Sequence, residues 1–244
     1  MSPFNAVEPS AEAYSNPQRT PQTKYALACA CGLALIANIA AAGELMGRVT
    51  NASGAPVANA VIVLYETQKK TSAAAKAPDE AIMDQRERQF APHVLVVQRG
   101  ASVRFPNSDD IRHQVYSFSP AKRFNLPLYH GVPAKPEIFD TAGEVVLGCN
   151  IHDTMFGYIY VVDSEWFAKT DASGSLQIKA VPAGNYRAQL WYPGLAATAS
   201  IEKTIAIPAA GAVKINFDNA VVENIPQAAP STTRGWGDRR GKNP

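Results

Sequence analysis

Cys149, His152 and Met155 stand three residues apart in EVVLGCNIHDTMFGYIYVVD (144–163), between two segments that read as β-strands. A thiolate, an imidazole and a thioether form a soft-to-borderline donor set, suited to an ion that moves between Cu(I) and Cu(II). The set is short of one imidazole, which an upstream strand must supply from His93, His113 or His130. Taken singly, each residue has an ordinary use: a small buried thiol, a core-filling thioether, a loop histidine making one hydrogen bond. A closed zinc site, recruiting Asp153, is a second reading. Zinc shells usually carry four strong N, S or O donors, however, and the thioether speaks for copper. A dinuclear copper centre needs a second cysteine in the loop, and a multicopper catalytic centre needs more than the four histidines of this chain. There is no Ser-His-Asp ordering and no Gly-rich phosphate loop. The expectation is a protein that is not an enzyme.

The elements that must position these residues read as strands. MGRVT, AVIVLYE, HVLVVQ, ASVRF, HQVYSF, EVVLGC, GYIYVV, SLQIKAV, YRAQLWY and AVKINF are short and rich in Val, Ile, Tyr and Phe. Turn signals bound them at 51–56, 97–102, 171–175 and 181–185, as in a β-sandwich. Only 69–88 carries some helical propensity, and Pro78 with its polar surroundings makes it a loop leading into a strand.

The N-terminus reads as an export signal. An apolar run of about 18 residues, Tyr25 to Ala42, follows a polar leader with Arg19 and Lys24 and ends in Ala40-Ala41-Ala42. It is at the short end for a membrane span, so we expect 1–42 to be removed, the product to be periplasmic, and no stable span to remain. Cleavage takes Cys29 and Cys31 away and leaves Cys149 alone. An unpaired thiol in an oxidising compartment needs a reason, such as a metal. The net charge of +2 misleads, because residues 43–230 carry 17 basic and 18 acidic side chains. Nothing there looks like a nucleic-acid face, and 227–244 reads as a flexible basic tail.

Two resemblances overlap on this pattern. FAPHVLVVQRGASVRFPNSDDIRHQVYSFS followed by FDTAGEVVLGCNIHDTM, within 81–163, resembles a cupredoxin, with a ligand loop similar to that of amicyanins. The whole chain is similar to periplasmic cupredoxin-like proteins of methylamine utilisation. The segments 47–66 and 169–194 resemble the two halves of a carboxypeptidase-regulatory-like, transthyretin-type sandwich. The fold expected is therefore all-β: a cupredoxin-like Greek-key β-sandwich (81–163) combined with a second small transthyretin-like β-sandwich built from 43–66 plus 165–220, which the first interrupts. In the competing arrangement, 47–66 gives outer strands of the cupredoxin and 165–220 is an appendage.

The cupredoxin resemblance implies one type 1 copper ion held by His113, Cys149, His152 and Met155. His113 is chosen because it follows the F-x-N-x-D stretch that precedes the first histidine ligand in that family. The next residue is often Asn there, tying the ligand loops together; here it is Gln114, and Asn107 or Asn150 is expected to take over. His93 and His130 are expected to be solvent-facing. The function implied is one-electron transfer between redox protein partners, a dehydrogenase donor and a cytochrome acceptor, docking around Ile151, Thr154, Leu126 and Leu128. A copper sensor, store or adaptor is the alternative.

Overall fold

The computed structural model describes residues 42–68, 80–133, 135–193, 195 and 201–220. The expected signal peptide (apart from Ala42) and the tail at 227–244 lie outside these residues, as does most of the polar loop read at 69–88. Every element among the described residues is a strand, and no helix there is long and apolar enough to cross a membrane.

The described residues open with β1 (Ala42–Asn51) and β2 (Val61–Glu66). Next come β3 (Ala81–Ile82), β4 (Asp84–Arg86), β5 (Gln89–Ala91), β6 (Val94–Gln98), β7 (Ala101–Arg104), β8 (His113–Ser117), β9 (Phe124–Tyr129), β10 (Glu137–Phe139), β11 (Gly143–Gly148) and β12 (Phe156–Val162). They close with β13 (Phe167–Lys169), β14 (Ser175–Pro182), β15 (Gly184–Trp191), β16 (Ile201–Ile207) and β17 (Ala212–Ala220). All ten segments read as strands from their composition are strands here.

A five-stranded sheet, β6-β12-β11-β8-β9, and a three-stranded sheet, β10-β7-β3, enclose one core with Phe105, Val115, Phe139, Val145, Leu147 and Ile159 at its centre. A second core, including Leu45, Ile62, Leu64, Tyr186, Leu190 and Phe217, lies between the sheets β14-β1-β17 and β13-β2-β15-β16. In the second of these sheets β2 pairs antiparallel with β15, Val61 opposite Trp191 and Glu66 opposite Tyr186, although 117 residues of sequence lie between the two strands' near ends. The chain thus leaves this sandwich after β2, builds the other, and returns at β13.

The unbroken apolar runs now have a cause. Val61, Ile62, Val63 and Leu64 are all fully buried because β2 is covered on both faces. Ile62 and Leu64 face the sandwich core, while Val61 and Val63 join Val94, Tyr158, Val162 and Trp191 in a third cluster. That cluster packs β2 and β15 against β6 and β12. Trp191 stacks on Tyr160 with ring centroids 4.3 Å apart, and its indole N–H donates to Glu144 at 3.2 Å.

Burial raises the pKa of Glu144, and the indole hydrogen bond only partly opposes this. A carboxyl whose folded pKa is raised adds stability below its unfolded pKa and loses that contribution as pH rises through the folded value. Glu144→Gln keeps the oxygen that Trp191 donates to and removes the charge. The variant should overtake the parent in stability as pH climbs to neutrality, by roughly 0.5 kcal/mol after solvent screening. Denaturant titrations of both proteins across the acid-to-neutral range check the sign; a difference independent of pH would contradict it.

Candidate metal centre

The antiparallel pair β11–β12 ends at Gly148 opposite Phe156. The seven residues between, Cys149 to Met155, form the connection. A backbone hydrogen bond from Met155 N–H to His152 O at 2.9 Å tightens its last turn. On the other side of β11 lies β8, with Gly148 opposite Tyr116, so His113 at the start of β8 falls at the same sheet end as Cys149. Gly148 lets the end of the Tyr116 ring lie close against β11, where a Cβ would sit 2.6 Å from it. Three neighbouring strands thereby bring to one place side chains that the sequence spreads over forty-odd positions.

The ring Nδ1 atoms of His113 and His152 lie 3.9 and 4.0 Å from Cys149 Sγ. One ligand atom from each of the three residues lies within 4.8 Å of the others. Bonds of about 2.0–2.3 Å, the usual lengths for imidazole nitrogen and thiolate sulfur on a transition ion, can span such a triangle. The residues therefore fit a metal ion by spacing as well as by chemistry. His113 and Cys149 are buried and His152 is partly exposed. Met155 is buried in the same core cluster as Cys149. Burial, the adjacent His113 ring and the Arg88 guanidinium lower the pKa of His152, favouring the neutral imidazole that a metal requires.

The loop carrying His113 is stapled from several sides. Phe105 anchors it in the core, and Asn107 donates from Nδ2 to the carbonyls of Ile111 (2.8 Å) and Tyr129 (2.9 Å). Ser108 Oγ lies at 2.9–3.0 Å from both carboxylate oxygens of Asp84. Asp109 places Oδ2 2.6 Å from His113 Nε2. Its burial works against its charge, but the Arg88 N–H, the His113 ring and the Glu87 N–H outweigh that and hold the carboxyl below its ordinary pKa. The sequence signal for Asp109 was the F-x-N-x-D stretch, in which no role had been assigned to the carboxylate.

Gln114 ties the two ligand loops together itself. Its Oε1 accepts from Asn150 Nδ2 at 2.8 Å, and its Nε2 donates to Asn125 Oδ1 at 2.6 Å. Asn150 is thus the partner of Gln114, whereas Asn107 holds its own loop through Ile111 and ties it to β9 through Tyr129. Removing this exposed bond in Asn150→Ala should cost about 0.5–1 kcal/mol. Gln114→Ala should cost a similar amount, and the double variant little more than either single one. Thermal unfolding of the metal-free set measures the coupling, and strictly additive losses would deny the tie.

The remaining histidines differ from each other. His130 is exposed. His93 is half-buried, its ring packed edge-on against Phe156 (5.3 Å) and Tyr158 (5.5 Å). Of the expected docking residues, Ile151 (48%) and Leu128 (49%) are well exposed and Leu126 is half-buried. Phe118, 77% exposed, was not anticipated. With Tyr116, Val146, Asn150, Asp153 and Phe156 it lines a cavity of about 400 Å³ that reaches Cys149 and Met155.

Comparison with known proteins finds partial likenesses at low identity. A purple cupredoxin from Nitrosopumilus maritimus aligns at 20% identity, over 34% of this chain and 98% of its own, with a TM-score of 0.30. An oxidised amicyanin variant aligns at 22% identity, over 34% of this chain and 81% of its own, with a TM-score of 0.31. A copper-containing nitrite reductase from Thermus scotoductus aligns at 23% identity, over 48% of this chain and 28% of its own, with a TM-score of 0.33. Residues 161–215 match the profile of polysaccharide lyase family 4, domain II. No curated protein matches the chain.

Proposed function

We propose that His113, Cys149, His152 and Met155 hold a single type 1 copper ion, and that the protein is an exported one-electron carrier with an amicyanin-like ligand loop. The observation that carries this reading is the convergence of the two Nδ1 atoms on Cys149 Sγ in a mostly buried pocket. When bound there, copper supplies a couple that takes one electron from a donor protein and gives one to an acceptor.

The chain's own residues do the rest. Cys149 provides the thiolate, and Met155 the weak thioether. His113 and the short, hydrogen-bonded loop limit rearrangement between redox states. His152 is the ligand that reaches the surface, flanked by exposed Ile151 and Thr154. These residues, with Leu128, Phe118 and Val146, make the apolar rim on which partners dock. Redox partners use small, transient interfaces of this kind; a dehydrogenase and a cytochrome are the pair we expect. The proposal includes the nested organisation, with the cupredoxin module (81–163) inserted in a carboxypeptidase-regulatory-like sandwich made of 43–66 and 165–220. It also includes a periplasmic location and a role as carrier without catalytic turnover.

One observation favours a second reading, a copper sensor, store or adaptor. The flanking sandwich packs firmly on β6 and β12, which a simple soluble carrier does not need. Electron self-exchange separates the two, since a carrier exchanges fast and a sensor slowly. The first test is addition of one equivalent of Cu(II), followed by visible and EPR spectra. Intense blue absorption with narrow copper hyperfine splitting supports the proposal, and a pale, ordinary Cu(II) spectrum removes it.

A further inference from the structure

The hairpin β4–β5 has a two-residue turn, Glu87–Arg88, since Arg86 pairs with Gln89. Both turn residues have positive φ, 51° and 60°. Hairpin turns of this form usually take Asn-Gly or Asp-Gly, because side chains with a Cβ are strained at positive φ. Neither residue here is glycine, asparagine or aspartate, so something outside the turn must hold it. That is Asp109. The Glu87 N–H donates to Oδ1 at 2.6 Å, and the Arg88 N–H to Oδ2 at 2.9 Å. The same Oδ2 lies 2.6 Å from His113 Nε2. The carboxylate therefore faces three nitrogens, two of them fixed backbone donors that it can only accept from. Held in that way it presents an acceptor to the third, and on the far side of the imidazole ring Nδ1 faces Cys149 Sγ.

We propose that Asp109, clamped by the Glu87–Arg88 turn, is a positioning residue that fixes His113 as its Nε2–H tautomer and leaves the Nδ1 lone pair facing Cys149. The hairpin is thereby part of the metal centre without touching it. Metal-ligating histidines usually direct their second ring nitrogen to such an acceptor, which sets tautomer and ring angle. What the tautomer is for rests on the reading of His113 as a ligand; that it exists does not.

The test uses metal-free, 15N-labelled protein at a pH where the imidazole is neutral. Long-range proton–nitrogen correlation should show a protonated Nε2 and an unprotonated Nδ1 in His113. The amides of Glu87 and Arg88, both on exposed residues, should exchange slowly with solvent. In Asp109→Ala the ring should become a mixture of tautomers, and the two amides should exchange faster by on the order of tenfold or more. In the double variant Glu87→Gly, Arg88→Gly, the backbone geometry is one that glycine adopts freely, so tautomer and protection should both persist. A proton on Nδ1 in the parent, or unprotected turn amides, overturns the inference even if Asp109→Ala fails to fold. An unchanged ring and unchanged exchange in Asp109→Ala also overturn it. Copper uptake is scored separately. Loss of the tautomer with copper binding intact removes only this inference. A fixed Nε2–H tautomer in a chain that binds no copper leaves it standing and removes the proposed function.

Discussion

Cys149→Ser should abolish the blue absorption of the copper-loaded protein and stop electron exchange, while the metal-free protein keeps its fold. The serine oxygen is neither soft nor ionised at neutral pH, so it cannot replace a thiolate between the two imidazoles. The structural cost is small by comparison. The site is buried, but both Nδ1 atoms lie close enough to interact with the sulfur, and a hydroxyl there keeps polar neighbours. We expect a loss of about 1 kcal/mol in metal-free stability and complete loss of the charge-transfer band. Visible spectroscopy, self-exchange rates and a denaturant titration measure the three quantities. Full redox activity in the variant would sink the assignment of this site; a variant that fails to fold would show that Cys149 is chiefly a core residue.

The second large effect concerns the contact between the two sandwiches. Trp191→Ala removes the ring that stacks on Tyr160, meets Tyr158 edge-on at 6.5 Å, and donates to Glu144. Trp191 is 7% exposed, and the groups around it on β2, β6 and β12 come from both sandwiches. Truncating a buried tryptophan costs about 3–5 kcal/mol. The loss falls on the contact, so denaturation should change from one transition to two, the sandwiches unfolding separately. The copper spectrum should not move, because the His113 and Cys149 surroundings belong to a different core cluster. A single transition with a loss below about 1 kcal/mol would mean that the third cluster contributes little.

How much of this was legible in the chain depends on the distance over which the information is carried. Strands announce themselves locally, through β-branched and aromatic residues between turn formers, and the ten segments read that way are strands. Most of those not picked out are short or interrupted; β16 (Ile201–Ile207) has the β-branched residues and was nevertheless passed over. β9 contains Pro127, which is tolerated because β9 is an edge strand. β4 and β5 are three residues each and make a hairpin whose turn has none of the usual turn residues. The second sandwich was visible only as two separated fragments, because a strand pairing across more than a hundred residues leaves no local trace.

The same division runs through the site. Cys149, His152 and Met155 lie within seven residues, so their spacing alone suggested a ligand loop. His113 is 36 positions away from Cys149, and only the resemblance singled it out from the other histidines. The sequence by itself determined the donor types, the all-β character and the continuous apolar runs of β2 and β12. It could not say that those runs face each other's sandwiches, that Gln114 reaches Asn150, or that Asp109 joins His113 to the Glu87–Arg88 turn. These contacts belong to the tertiary structure, because each depends on where two distant backbones come to rest. Side-chain hydrogen bonds and ring stacking act over only a few ångströms, and no pattern along one segment encodes them.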